Sequence, residues 1–150
     1  MAIYYLESSA LVKLYVRELG TERLLKLTAS GQANKFAVLS LSSVEVRSAV
    51  RRRERAGEIE NAAADRLLAS FQRHLEGKFL KQAVTDSVLD VAYLLVDRHG
   101  LRAYDAVQLS GYMALKTISG PDVPVFVCAD RALLIAAQAE RLAVLDPCTP

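Results

Sequence analysis

Four acids stand where apolar runs stop. Glu7 ends the run Ile3-Tyr4-Tyr5-Leu6, and Glu45 lies just past the run Phe36–Leu41. Asp105 is near the start of the pattern Ala103–Lys116, and Asp130 comes two residues after Cys128. Short apolar runs between helical patterns read as buried strands. In a parallel sheet the loops that follow the strands open along one edge, which is where ligands sit. Carboxylates gathered there repel one another and raise each other's pKa, and a divalent cation relieves that repulsion. Oxygen donors with no His or Cys among them favour Mg²⁺ or Mn²⁺. Such ions activate water and stabilise the leaving oxygen of an in-line displacement. The chemistry implied is metal-assisted hydrolysis of a phosphodiester.

Each acid also has a use without chemistry. Ser42-Ser43-Val44-Glu45 matches the Ser-x-x-Glu capping box. Asp130 suits the N-cap of a helix over Arg131–Glu140, and Asp105 is spaced to pair with Arg102. What distinguishes a site is the arrival of all four at one edge. Asp86, Asp90, Asp97, Asp122 and Asp146 lack that setting and read as helix-start, solvated-face or turn acids.

Formal net charge is only +2, so the distribution of cations carries more information than their sum. Arg47, Arg51, Arg52, Arg53 and Arg55 fall close together, with Glu54 the only acid among them. A run of this kind is a solvated helix face or a surface for a phosphate backbone. Arg47, Arg51 and Arg52, with Arg102 and Arg131 beside the later acids, are the nucleic-acid candidates. His74 and His99 are isolated in sequence, and Cys128 and Cys148 show no zinc-type spacing. Cys128 reads as a small core residue.

The elements that must position these groups alternate. Strands are expected over Ile3–Leu6, Phe36–Leu41, Phe79–Ala83, Val123–Cys128 and Ala143–Leu145. Helical spacing marks Ser9–Arg17, Thr21–Thr28, Ser43–Ala56, Asn61–Leu75, Val88–His99, Ala103–Lys116 and Arg131–Glu140. That alternation predicts an α/β protein with a central parallel sheet of about five strands, covered on both faces. No linker, repeat or low-complexity stretch divides residues 1–150, so one domain is expected. The N-terminus has no signal-peptide pattern, and no apolar run approaches the ~18 residues of a membrane span. A reduced, soluble, cytoplasmic protein is the expectation.

The segments around the acids resemble a known family. Ile3-Tyr4-Tyr5-Leu6-Glu7-Ser8-Ser9-Ala10-Leu11-Val12-Lys13-Leu14-Tyr15 is similar to the opening motif of PIN-domain ribonucleases, in particular VapC-type toxins of toxin–antitoxin pairs. Ser42-Ser43-Val44-Glu45-Val46-Arg47-Ser48-Ala49, Gly100-Leu101-Arg102-Ala103-Tyr104-Asp105-Ala106-Val107-Gln108-Leu109 and Val127-Cys128-Ala129-Asp130-Arg131-Ala132-Leu133-Leu134 follow in the family's order. The resemblance spans nearly the whole chain, and Arg-x-x-Asp-Ala-x-Gln-Leu is its most specific piece.

The resemblance implies a three-layer α/β/α PIN-like fold and Mg²⁺- or Mn²⁺-dependent endoribonuclease activity. The products implied are a 5′-phosphate and a 3′-hydroxyl. It implies a small VapB-like antitoxin partner, the toxin role in a type II pair, and a homodimer. By position, Glu7 and Asp105 become direct metal ligands, while Glu45 and Asp130 bind a second ion or place the attacking water. Two positions depart from the family's pattern. Glu7 replaces its usual Asp, and Cys128 stands where a hydroxyl residue is common. The longer Glu7 side chain opens an alternative, a catalytically impaired PIN-fold module that acts by binding RNA or an antitoxin.

Overall fold

The computed structural model describes residues 1–31 and 33–150. Among them the chain runs β1 (Ile3–Leu6), α1 (Ser8–Leu11), α2 (Thr21–Ala29), β2 (Lys35–Leu39), α3 (Ser42–Arg55) and α4 (Asn61–Gly77). It continues through β3 (Leu80–Gln82), α5 (Asp86–His99), α6 (Ala103–Ile118), β4 (Val125–Val127), α7 (Arg131–Ala139) and β5 (Val144–Leu145). The five strands form one sheet in the order β3-β2-β1-β4-β5. Every pairing in it is parallel. Tyr5 stands opposite Ala37 on one side and Phe126 on the other, which sets the register at the centre.

Side chains alternate across the sheet because successive Cβ atoms of a strand point to opposite faces. Tyr5, Ala37, Leu39 and Phe126 enter a core closed by Ala92 and Leu95 of α5, Leu109 and Tyr112 of α6, and Leu133 of α7. Leu6, Phe36, Val38 and Val127 enter the other core, closed by Leu11, Leu24, Val46, Val50, Leu68 and Phe71 from α1 to α4. The result is the three-layer α/β/α arrangement expected from the alternation of elements.

Several boundaries shift by one or two residues, and two of the differences have a visible physical cause. The helix expected over Ser9–Arg17 ends at Leu11 and continues only as a 3₁₀ turn over Val12–Leu14. The carbonyl of Lys13, which a longer helix would give to Arg17, instead accepts from Thr21 Oγ1 at 2.9 Å. The second strand stops at Leu39 rather than Leu41. Ser40 and Leu41 already turn into α3, and their carbonyls accept from Ser43, Val44 and Glu45. Among the described residues no helix is long and apolar enough to cross a membrane.

Helix α6 meets the sheet at Gly111. A Cβ there would lie 2.8 Å from the Tyr5 hydroxyl and 2.9 Å from Leu39 Cδ1. Both side chains are fully buried. Gly111→Ala is therefore expected to destabilise the protein by about 1–3 kcal/mol through overpacking, despite alanine's better helix propensity. Urea denaturation would show it, and an unchanged or raised midpoint would refute the close contact.

Candidate active site

The strand order reverses between β1 and β4. Successive connections run outward to β2 and β3 on one side and to β5 on the other, so a crevice opens at the carboxyl ends of β1 and β4. Glu7 follows β1 and Asp130 follows β4. Glu45 arrives on the first turn of α3 after β2, and Asp105 on the first turn of α6. All four line one cleft of about 710 Å³.

Glu7, Glu45 and Asp105 each use one oxygen to bind the protein, and Asp130 uses both. Glu7 Oε2 accepts from the backbone N–H of Ser9 at 2.9 Å and from its hydroxyl. That makes Glu7 the N-cap of α1. Glu45 Oε1 accepts from Gln108 Nε2 at 2.8 Å and Ser8 Oγ at 3.0 Å. Asp105 Oδ2 accepts from Arg102 Nε at 3.1 Å. Asp130 Oδ1 caps α7 by accepting from the N–H of Leu133 at 2.9 Å, and its Oδ2 is 3.6 Å from Arg102. Among the described residues, the second oxygens of Glu7, Glu45 and Asp105 take no hydrogen bond from the protein.

Burial dominates the electrostatics. Glu7 is 3% exposed, and desolvation raises its pKa from 4.5 to about 7. The Ser9 hydrogen bonds oppose that rise and the charge of Glu45 adds to it. Glu45 is also raised by desolvation, with Gln108 and Ser8 lowering it and Asp105 raising it. The Tyr5 hydroxyl is pushed up by burial first and by Glu7 and Glu45 second. Negative charge is thus under strain on the Glu7–Glu45 side of the cleft.

No protein-family model matches the sequence, and no curated protein matches it either. Solved structures do match. A Pyrobaculum aerophilum protein superposes with a TM-score of 0.65 at 26% identity, covering 95% of this chain and 83% of its own. A toxin–antitoxin complex from Klebsiella pneumoniae gives a TM-score of 0.63 at 12% identity, over 96% of this chain and 97% of the other. VapBC2 from Rickettsia felis, bound to a DNA fragment from its promoter, gives 0.63 at 14% identity, over 95% and 97%. The chain has the PIN-like fold.

Within this PIN-like domain Glu45 rests on a buried hydrogen-bonded network that sequence patterns did not reveal. The Tyr5 hydroxyl donates to Gln108 Oε1 at 2.9 Å. Gln108 Nε2 reaches Ser8 Oγ and Ser42 Oγ, both at 2.9 Å, as well as Glu45. Ser42 is therefore not the cap of a capping box. The N-cap of α3 is Leu41, without a side-chain bond, and Ser42 and Glu45 both turn inward to Gln108. The one sequence signal was a glutamine three residues after Asp105 on an otherwise apolar face. Ser9 makes a second link, since its Oγ accepts from the N–H of Ala129 at 2.9 Å and so ties the ends of β1 and β4 together. Cys128 is fully buried, and its Sγ accepts from the N–H of Asp130 at 3.3 Å. It is a core residue that also orients the last acid.

Gln108→Leu is expected to cost about 3 kcal/mol, because Tyr5, Ser8, Ser42 and Glu45 lose buried partners together. It should also raise the Glu45 pKa further, since Gln108 holds it down. Chemical denaturation tests the first effect; a variant as stable as the wild type would show that the network contributes nothing.

The arginines divide. Arg52 and Arg102 line the cleft, as does Arg53, which is also paired to Glu18 at 2.5 Å. Arg51 is drawn away into ion pairs with Glu54 at 2.6 Å and Asp65 at 2.8 Å, joining α3 to α4. Arg47 and Arg131 are exposed and do not line the cleft. Lys13, not anticipated, is buried at the cleft wall against Glu18 at 3.0 Å.

The donor set suits a hard divalent cation. It is all oxygen, two members carry raised pKa values, and Arg102 already brings a positive group between Asp105 and Asp130. As the side chains lie, no three acids among the described residues close around a single ion. Mg²⁺ keeps several waters and commonly takes only one or two carboxylates.

Proposed function

We propose that this PIN-like protein is a Mg²⁺- or Mn²⁺-dependent endoribonuclease and the toxin of a type II toxin–antitoxin pair. The observation that carries this is the convergence of Glu7, Glu45, Asp105 and Asp130 on one cleft at the reversal of strand order, with Arg52 and Arg102 at its walls. The toxin–antitoxin complexes that share the fold support the role and an antitoxin partner. A bound divalent cation supplies an activated water and neutralises charge on the phosphoryl oxygens.

In this scheme Glu7 and Asp105 would hold the cation. Glu45 and Asp130, fixed by Gln108 and by the α7 N-terminus, orient the attacking water. Arg52 and Arg102 position the RNA backbone. Water adds to phosphorus as the bond to the 3′ oxygen breaks, and that oxygen leaves as a hydroxyl. The deciding experiment is incubation of purified protein with total RNA in Mn²⁺, in Mg²⁺ and in excess chelator. Cleavage should occur in the first two only; equal cleavage in chelator rules out the scheme.

A binding module with impaired catalysis is favoured by one observation. Glu7 is buried, serves as a helix cap and holds its proton up to about pH 7. Glu7→Asp discriminates: activity created from none marks the natural protein as the impaired form, whereas strong wild-type activity marks Glu7 as a competent ligand.

A further inference from the structure

Beside the acidic cleft lies a second groove, of about 600 Å³. Its wall from α3 is Leu41, Val44, Ser48 and Arg52, spaced to fall on one helix face. Its other side is Arg102 and Tyr104, where α6 begins. Tyr104 is 65% exposed and has no hydrogen-bond or aromatic partner among the described residues, although it immediately precedes Asp105. Val44 is 65% exposed as well. Arg52 forms no ion pair among the described residues, and Arg102 is 80% exposed beyond its bonds to the acids. The two spaces are continuous, because Glu45, Arg52, Arg102 and Asp105 border both.

An open aromatic ring, an apolar floor and two cations next to a phosphodiester-cleaving site match one ligand chemistry. Unpaired bases stack on aromatic side chains and guanidinium planes while cations follow the backbone. A purely apolar protein segment would leave Arg52 without a partner among the described residues and would offer nothing to the exposed face of Arg102.

We propose that this groove is a nucleobase subsite: Tyr104 stacks an unpaired base flanking the scissile phosphate, and Arg52 and Arg102 hold the phosphate that joins them. This deepens the ribonuclease reading and rests on it for the identity of the strand. A paired base has no free face to offer Tyr104, so the groove takes only an unpaired one.

The test is the affinity of the full chain for a labelled single-stranded oligoadenylate, measured by fluorescence anisotropy in chelator at low salt. Stacking on an aromatic contributes enough that its removal should weaken binding about tenfold. Tyr104→Ala should show that loss without a change in melting temperature. Tyr104→Phe, which keeps the ring, should bind within about twofold of wild type. The same strand annealed to its complement should bind without dependence on Tyr104. If wild type binds no oligonucleotide, or Tyr104→Ala binds as tightly as wild type, the subsite is refuted. Metal-dependent cleavage that persists in either case would leave the nuclease standing. Conversely, Tyr104-dependent binding with no cleavage in Mn²⁺ would refute the nuclease and leave the subsite.

Discussion

Asp105→Asn is expected to lower Mn²⁺-dependent RNA cleavage by at least ~100-fold while leaving the fold intact. Loss of residues that merely support a metal ligand costs about 10–100-fold, and the proposed scheme makes Asp105 a direct ligand. The substitution keeps the shape and removes the charge. Its structural cost is small, because the partner, Arg102, is 80% exposed, and exposed ion pairs contribute only about 0–1 kcal/mol. Activity and stability should therefore separate. Initial rates on a fluorogenic RNA, set beside a melting curve, would show it; a variant that cleaves at the wild-type rate removes Asp105 from the chemistry.

Glu7→Gln is expected to abolish a pH dependence of stability carried by one buried acid. The Glu7 pKa is raised from 4.5 to about 7 in the folded chain, so the folded state holds a proton that the unfolded state releases. The stabilisation this provides is fully present below about pH 4.5 and is lost as pH rises through about 7. At 1.36 kcal/mol per unit, the loss is about 3 kcal/mol, and with Glu7 only 3% exposed no solvent screening reduces it. Metal-free wild type should thus lose about 3 kcal/mol relative to Glu7→Gln between pH 4.5 and pH 8. A divalent cation beside Glu7 favours the carboxylate and should return part of that loss in the wild type alone. Urea denaturation of both proteins in chelator, at the two pH values, decides the matter. Parallel losses would mean that Glu7 is already ionised in the fold.

The same residue shows how far local pattern reached. Glu7 ends an apolar run, and a strand that stops at an acid before a helical pattern places that acid at the sheet edge whatever the rest of the chain does. Asp130 was legible in the same way, and its N-cap geometry is a local matter of three residues. Glu45 was legible in position but not in role. Ser-x-x-Glu is a capping signal, yet α3 begins without that cap because Gln108, 63 residues away in sequence, offers Glu45 a buried donor. The first helix stops short of its helical spacing for a related reason, since Thr21 takes the carbonyl that would have continued it.

Sequence alone, then, determined the layers and the edge. Strand and helix periodicity are set by neighbours a few residues apart, and alternating elements can bury their apolar faces only as a parallel sheet covered on both sides. It also placed four acids after strands or at helix starts. Tertiary structure decided which groups meet there. The reversal of strand order put Glu7 beside Asp130, the Tyr5–Gln108–Ser8–Ser42 network fixed Glu45, and ion pairs across helices withdrew Arg51 while leaving Arg52 and Tyr104 open. Those choices depend on hydrogen bonds and charges between residues far apart in the chain, whose energies exist only once the fold has brought them together and excluded water.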